Sequence, residues 1–349
     1  MVKKFGKIWP IDAVVAVTYR CNARCVMCNI WQIKDFPEIQ ASEYLKLPAT
    51  LKDVNISGGE PFLRQDLFLI VKNIKEACPR AHIVISSNGF LVETIKRLLP
   101  EIKKIDPDIG LNISIDGIEE SQERIRRVAG GWQKNLEVIR FAKDLGLKDL
   151  GIGFTLNNEN YSETEKVYDF CLRNKLNFSI ALAQSSDFYF GGNKYQVNLN
   201  KEQLQQSFSF VINKLLKSYN PKNWARAFFV DGLMKISEGK RRPLESKPGD
   251  DFFYLDPKGD IYPSVIDNVI MGNITKFTTF DGIWLSAQAE KARIDIKGYE
   301  SNYWFVCTAR TAIMRNPLKV ARWIFDQKIS GAKSTISKLI KTNNQELTK

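Results

Sequence analysis

Up to Ala183, short apolar runs alternate with longer stretches whose apolar positions recur every three or four residues. The short runs predict strands over Ala13–Val17, Asp53–Ser57, His82–Ser86, Ile109–Ile115, Asp149–Leu156 and Asn177–Ala183. The longer ones predict helices over Ser42–Leu47, Leu67–Cys78, Val92–Leu99, Trp132–Leu145 and Ser162–Asn174. Ser162, with Glu165 three residues on, has the spacing of a capping box. Six β–α repeats imply an α/β fold, a parallel sheet with helical crossovers. Residues of unusual chemistry follow the strands: Gly58-Gly59-Glu60-Pro61 the second, Ser87-Asn88-Gly89 the third, Asp116-Gly117 the fourth and Asn157-Asn158 the fifth. In βα barrels and open α/β sheets, ligand sites collect at the carboxyl ends of strands. These loops are therefore expected to converge.

Beyond Ala183 the pattern changes. Ser185–Asn200 is polar and aromatic, with Gly191-Gly192, and reads as a loop near the mouth of a barrel. Glu202–Tyr219 has the spacing of an amphipathic helix, and Lys240–Asp251 is a charged linker. Phe252–Leu255 and Asp260–Pro263 flank Asp256-Pro257-Lys258-Gly259, which has hairpin-turn chemistry. Pro317–Ile329 carries Leu318, Val320, Ala321, Trp323, Ile324 and Phe325 among Lys319, Arg322 and Lys328. From Leu318 to Lys349 there are seven Lys or Arg and two acidic residues. Such a segment either lies on an anionic membrane surface or packs on the barrel with a solvated basic face.

The 349 residues are 44% hydrophobic and 26% charged, enough for a substantial folded core. The net charge of +12 suits nucleic acid, anionic lipid headgroups or phosphorylated and carboxylated substrates. No basic motif interleaved with aromatics marks a nucleic-acid module, so no nucleic acid is expected. Met1–Trp9 is a basic arm, but Ala13–Val17 is too short for a secretory signal core. No run approaches the ~20 apolar residues of a membrane span. A cytoplasmic protein is expected, with peripheral membrane contact through the tail as an option.

In a reducing compartment a cysteine cluster reads as metal-binding and not as a disulfide framework. Cys21, Cys25 and Cys28 are spaced C-x3-C-x2-C. Thiolates are soft ligands suited to iron–sulfur clusters and zinc. Cysteine-built zinc sites usually supply a second ligand pair. None follows at a suitable spacing, and the one histidine, His82, lies inside a strand, where a structural role is expected. Three thiolates on a [4Fe–4S] cluster leave one iron open. A structural zinc site, or three cysteines packed in a loop, are the alternatives. Cys78 and Cys171 are isolated and read as buried small side chains. Paired glycines at Gly58 and Gly59 let the backbone approach a ligand closely, and the Glu60 carboxylate can hold an ammonium.

In this order, these loops resemble those of the radical S-adenosylmethionine (radical SAM) enzymes. The resemblance spans residues 10–185, and it includes Ser86–Gly89, Asn112–Gly117, Arg124-Ile125-Arg126 and Gly130-Gly131. It implies a partial TIM-type (β/α)6 barrel over 10–235, after a basic arm at 1–9. Cys21, Cys25 and Cys28 would hold one [4Fe–4S] cluster, and S-adenosyl-L-methionine would chelate the open iron. Gly58, Gly59 and Glu60 would meet its amino group through their backbone carbonyls, and Ser87 and Asn88 would line its site. Ser114 would lie near its ribose or carboxylate, Arg126 would pair with the carboxylate, and Asn157 would lie close by. Met27 stands where the family often has an aromatic residue, and its thioether can also pack against a ring.

The resemblance also implies the chemistry. One electron, from a donor such as flavodoxin or ferredoxin, would cleave the cofactor's C5′–S bond to methionine and a 5′-deoxyadenosyl radical. That radical would take hydrogen from an unidentified substrate. The rival expectation is a non-catalytic relative, binding a cluster or S-adenosylmethionine as a sensor or scaffold. Leu255–Ser264 with Gly272-Asn273-Ile274 is similar to the auxiliary-cluster (SPASM or twitch) domain of many radical SAM enzymes. Ser264 stands where those proteins have a cysteine, and beyond it only Cys307 remains. One thiolate cannot hold such a cluster. Residues 236–316 are therefore expected to form a small C-terminal α+β appendage without a cluster, followed by the basic tail at 317–349. Auxiliary clusters serve peptide-modifying relatives, so their loss tilts the expectation from peptide towards a small molecule, sugar derivative or lipid.

Overall fold

The computed structural model describes residues 2–4, 6–186, 188–192, 194–266, 268–298 and 303–329. The basic arm is a short antiparallel hairpin, β1 (Val2–Lys4) and β2 (Lys7–Trp9). Six parallel strands follow in sequence order: β3 (Asp12–Thr18), β4 (Asp53–Gly58), β5 (His82–Ser87), β6 (Gly110–Ser114), β7 (Asp149–Leu156) and β8 (Asn177–Leu182). Between them run α1 (Leu67–Ala77), α2 (Val92–Ile105), α3 (Glu120–Arg126), α4 (Gly131–Asp144) and α5 (Thr164–Arg173). Then come α6 (Lys201–Lys217) and α7 (Pro221–Ser237). This is the α/β architecture of a partial TIM barrel. Each expected strand is present, with ends shifted by at most one residue.

Period-two alternation sorts the side chains. Val54, Ile56, Ile83, Ile85, Leu111 and Ile113 are buried in the core between sheet and helices. Asn55, Ser57, Ser86, Asn112, Ser114, Thr155 and Ser179, on the opposite face, are half-buried. The inner face is therefore polar and made of small side chains.

The C-terminal hairpin does not stand apart from this sheet. β9 (Phe252–Leu255) pairs parallel to β3, from Asp12 opposite Phe252 to Val15 opposite Leu255. β10 (Asp260–Tyr262) and β11 (Gly272–Asn273) add antiparallel to β9. All seven residues of β3 are buried, so the strand carrying the cysteine loop needs a neighbour on both edges. Helices α8 (Phe280–Trp284), α9 (Ala287–Asp295) and α10 (Val306–Arg315) pack around the hairpin, and a helix over 317–329 follows.

Several local expectations change. Ser162 does not cap a helix: it lies in a 3-10 turn over Tyr161–Glu163, and α5 starts at Thr164 without a side-chain cap. Asn160 sets that turn, accepting from Glu163 N on its carbonyl while its amide holds the Asp116 and Thr155 carbonyls. Ser42–Leu47 is a 3-10 helix over Ala41–Lys46. α2 continues through Pro100, because Ile102 extends its buried face. In the tail, Val320 is buried and Trp323 meets Phe228 of α7 edge-on at 5.3 Å. Trp323 is thus a packing residue of the barrel's outer layer. Residues 330–349 of the basic tail lie outside the described residues, as do Asp187 and Asn193 of the Ser185–Asn200 loop. Among the described residues, no helix is long and apolar enough to cross a membrane.

Candidate functional site

The cysteine loop leaves the carboxyl end of β3 and is held from both sides. Val26 N donates to Ile125 O at 3.0 Å and Arg24 N to Arg126 O at 3.4 Å, tying the loop to the end of α3. Cys21, Cys25 and Cys28 are half-buried free thiols. Burial pushes Cys21 up to about 12 and Cys28 up to about 11, and it also raises Cys25, against the pull of Arg126. Two donors point at sulfurs: Asn88 Nδ2 lies 3.9 Å from Cys21 Sγ and Arg126 NH1 3.7 Å from Cys25 Sγ. Hydrogen bonds to sulfur are among the groups that tune iron–sulfur centres. Among the described residues, no three His, Cys, Asp or Glu side chains are placed to share a single metal ion. Three soft donors on one loop, with two hydrogen-bond donors aimed at them, fit a multi-iron cluster.

The Gly58-Gly59 pair brings two backbones into close contact. Gly58 has φ +121°, and a Cβ there would collide with the Thr18 carbonyl oxygen. A Cβ on Gly59 would strike the Arg20 carbonyl oxygen. Gly59 N and Glu60 N donate to Thr18 O and Arg20 O, both at 2.8 Å. The glycines let the β4 loop zip against the chain entering the cysteine loop. The Glu60 side chain is fully buried. It accepts from Phe62 N at 3.1 Å, Ser87 Oγ at 2.9 Å and Asn88 N at 2.7 Å. Burial raises its carboxyl to about 7 despite these bonds. Its carboxylate joins the loops after β4 and β5 and is not presented to an ammonium. Ser87 Oγ also accepts from Gly89 N, so this hydroxyl supports the loop from behind. Asn88 accepts from Phe90 N and donates to Asn22 Oδ1 at 2.7 Å, beside Cys21.

Arg126 is buried at the end of α3, with NH2 2.6 Å from Asp116 Oδ2. Burial alone would lower this guanidinium, but Asp116 and Cys25 outweigh it and keep it charged. Asp116 also accepts from Thr155 N at 2.7 Å. The Nε of Arg126 is buried and has no hydrogen-bond partner. An unpaired buried donor on a fixed cation is a place for an anionic ligand. Ser114 ends β6 half-buried on the inner face, and its carbonyl accepts from Gln122 Nε2. Asn157 is committed to its own turn, donating to Thr155 O and accepting from Glu159 N.

Sequence reasoning missed the web behind these groups. Gln122 donates to Ser114 O and Asn135 Oδ1 and accepts from Asp116 N, while Asn135 donates to Asn88 O. This links α3, α4 and the loops after β5 and β6. No motif marks it. Asn135, sharing a helical face with Trp132, Val138 and Ile139, was the available signal, whereas Gln122 sits in a polar stretch and gave none. Tyr189 was missed too. Phe190 O accepts from Asn29 N at 2.9 Å, which straps the Ser185–Asn200 loop to the cysteine loop, and the Tyr189 hydroxyl meets Ser57. Tyr189, Phe188, Tyr254 and Tyr262 form an aromatic wall there. Met27 is buried with Ile125 and Ala183, and Cys307 is buried against Phe252 and Tyr254.

Comparison with known proteins adds the following. The chain matches the Radical SAM superfamily over residues 15–171. It is 22% identical over 240 residues to a probable GTP 3',8-cyclase of Sulfurisphaera tokodaii, covering 66% of this chain and 74% of the relative. It is 28% identical over 228 residues to the Fe-coproporphyrin III synthase of Methanosarcina barkeri, covering 62% and 54%. Of that second relative the chain spans only about half the length. In fold it is similar to native anSMEcpe with bound AdoMet, with a TM-score of 0.61, 15% identity, and 93% and 99% of the two chains covered. It is likewise similar to Streptococcus suis SuiB bound to the precursor peptide SuiA, with a TM-score of 0.61, 15% identity, and 82% and 67% covered.

Proposed function

The chain belongs to the radical SAM superfamily, whose named relatives here are enzymes, and on that premise we propose that it is a radical-generating enzyme acting on a small polar molecule. Loaded with a [4Fe–4S] cluster and S-adenosyl-L-methionine, such a site supplies a 5′-deoxyadenosyl radical after one-electron reduction by a donor such as flavodoxin or ferredoxin. Cys21, Cys25 and Cys28 hold the cluster in this reading. The observation that carries it is the buried, unpartnered Arg126 Nε beside Cys25, which suits the cofactor carboxylate. Asp116 orients that guanidinium and keeps it charged. In this reading Ser114, on the inner face, would hydrogen-bond the cofactor, and Asn88 would steady Cys21. Gly58 and Gly59 set the height of the cysteine loop over the sheet. In this reading the strap through Tyr189 and Phe190 helps to keep water from the site.

Support for a small polar substrate comes from the inner face, where Asn55, Ser57, Ser86, Asn112, Thr155 and Ser179 are half-buried. Gly151 and Gly153 leave room for Asn112 there. Small hydrogen-bonding side chains suit a ligand with hydroxyl or amide groups better than an apolar one. The six cysteines are all free thiols, in keeping with a reducing, cytoplasmic setting.

The test is anaerobic reconstitution with iron and sulfide, reduction, and addition of S-adenosylmethionine. Four irons per chain and slow release of 5′-deoxyadenosine are expected. Cys25→Ala should remove both the cluster absorption and the product, to background. A stable cluster without cleavage would make the protein a sensor or scaffold. Zinc retention without iron uptake would overturn both readings.

A further inference from the structure

At the other end of the sheet, the linker after α7 and the end of α10 enclose a cleft of about 450 Å³. Five cationic side chains line it, Arg241, Arg242, Lys247, Arg315 and Lys319, against one carboxylate, Glu245. Two of the five are tied into the fold: Arg315 pairs with Asp251 and donates to Glu245 O, and Arg242 donates to Ser246 Oγ at 2.5 Å. Among the described residues, Arg241, Lys247 and Lys319 have no ion-pair partner. No aromatic ring lines the cleft, so it offers nothing for a base to stack on. Its chemistry is that of a phosphate site.

The helix over 317–329 starts at the rim of this cleft. Its inner face is occupied, by Val320, Trp323 and Ile324 against the core. Its outer face carries Leu318, Arg322, Phe325 and Ile329 at helical spacing. Leu318 is 84% exposed, Phe325 65% and Ile329 39%. A helix packed on a soluble barrel normally turns a polar face outward. Here an apolar stripe runs out from a cationic cleft, with Leu318 and Lys319 adjacent in sequence. That is the arrangement of a surface that meets headgroup phosphates and the acyl boundary together.

We propose that this edge docks the protein on an anionic phospholipid membrane, seating a lipid phosphate among Arg241, Lys247 and Lys319 and laying Leu318, Phe325 and Ile329 into the headgroup–acyl boundary. The geometry leaves the cysteine loop clear of the bilayer. Asp251, the partner of Arg315, precedes β9 and accepts from Ile11 N at the amino end of β3. The cysteine loop leaves the opposite end of that strand, about 20 Å away at the rise of a parallel strand. Docking therefore holds the barrel mouth away from the surface, and it does not depend on the chemistry assigned to the cysteine loop.

Co-sedimentation of the full chain with vesicles tests this. The protein should pellet with phosphatidylcholine–phosphatidylglycerol vesicles and stay in solution with phosphatidylcholine alone. Arg241→Ala with Lys319→Ala should weaken partitioning about 30-fold, each basic residue being worth about a factor of five. Leu318→Ser with Phe325→Ser should weaken it at least about tenfold, since both side chains leave water on docking. Melting temperatures of both double variants should match the parent, because none of the four side chains is buried. Absence of sedimentation with anionic vesicles overturns the proposal, as does equal binding to neutral ones or full binding by the basic double variant. A melting temperature raised by free glycerol phosphate, without vesicle binding, assigns the cleft to a soluble anion and overturns it as well.

Discussion

At the amino ends of the parallel strands, Arg310 donates to Asp12 Oδ2 at 2.6 Å and reaches Asp53 at 2.9 Å, while His82 meets Asp149 at 3.2 Å. At the carboxyl ends, Arg126 meets Asp116 at 2.6 Å, yet its Nε has no partner. The first set closes on itself. Asp12, Asp53, His82, Asp149 and Asn177 are each the first residue of a strand, and Asn177 passes the chain on to Arg226 of α7. Gly110 lets His82 and Asp149 meet across β6, since a Cβ there would come within 2.9 Å of Asp149 Oδ2. One oxygen, Asp12 Oδ1, lacks a bond there, on a carboxylate already held by Arg310. The second set is more deeply buried, with Arg126 10% and Asp116 0% exposed, and yet keeps a donor unused. Leaving a buried donor unpaired costs about 1–3 kcal/mol. A purely structural end has no reason to carry that cost, and a ligand-binding end does.

The largest expected effect lies at Arg126. Arg126→Gln strands Asp116, a fully buried carboxylate, and should cost about 3–5 kcal/mol in chemical denaturation. Adding Asp116→Asn should restore most of that stability. Binding of S-adenosylmethionine by the reconstituted double variant should stay at least about tenfold weaker, for loss of a charge-assisted hydrogen bond. Recovery of binding along with stability would reduce Arg126 to a scaffold residue, and the two ends of the sheet would no longer differ in kind.

A glycine at each end sharpens the contrast at intermediate size. Gly59→Ala drives a methyl into the Arg20 backbone, which cannot move without moving Cys21. About 1–3 kcal/mol should be lost, and iron uptake should fall with it. Gly110→Ala meets a side-chain oxygen that can turn aside, so its cost should be below about 1 kcal/mol with iron uptake unchanged.

The smallest effect is at His82. Its hydrogen bond to Asp149 raises the imidazole above its ordinary value, partly against burial, and the same bond lowers Asp149. A raised folded-state value stabilises the fold fully below the unfolded pKa of about 6.5. That contribution is lost as pH rises through the folded value. Both side chains are more than a third exposed, so solvent screening holds it to roughly 0.5 kcal/mol. Melting curves at pH 6 and pH 8 should show His82→Gln removing a small stability drop at the higher pH, with 5′-deoxyadenosine release unaffected.

Much of this was legible in the chain. Alternating Val, Ile, Asn and Ser marked the strands, and the cysteine spacing marked the loop that follows the first of the six. The use of particular side chains was less legible. The Glu60 carboxylate read as a holder of an ammonium and instead fastens two loops, because Ser87 and Asn88 arrive from another strand to meet it. The Pro317–Ile329 segment read equally as lying on a membrane or packing on the barrel, and Trp323 packs on Phe228. The Phe252–Leu255 strand read as part of an appendage and lies beside β3.

The sequence by itself determined the order of strands and helices, the cysteine triad and the place of the site after the strands. These depend on periodicity and spacing among neighbouring residues, which the chain carries wherever it goes. Only the tertiary structure decided that Asp116 holds Arg126 and leaves its Nε free, that the glycines of the β4 loop face backbone, and that His82 reaches Asp149 over Gly110. Each of those requires groups from separate strands to come within about 3–4 Å. At that range desolvation and hydrogen bonding decide which polar group is satisfied within the protein and which is left for a ligand.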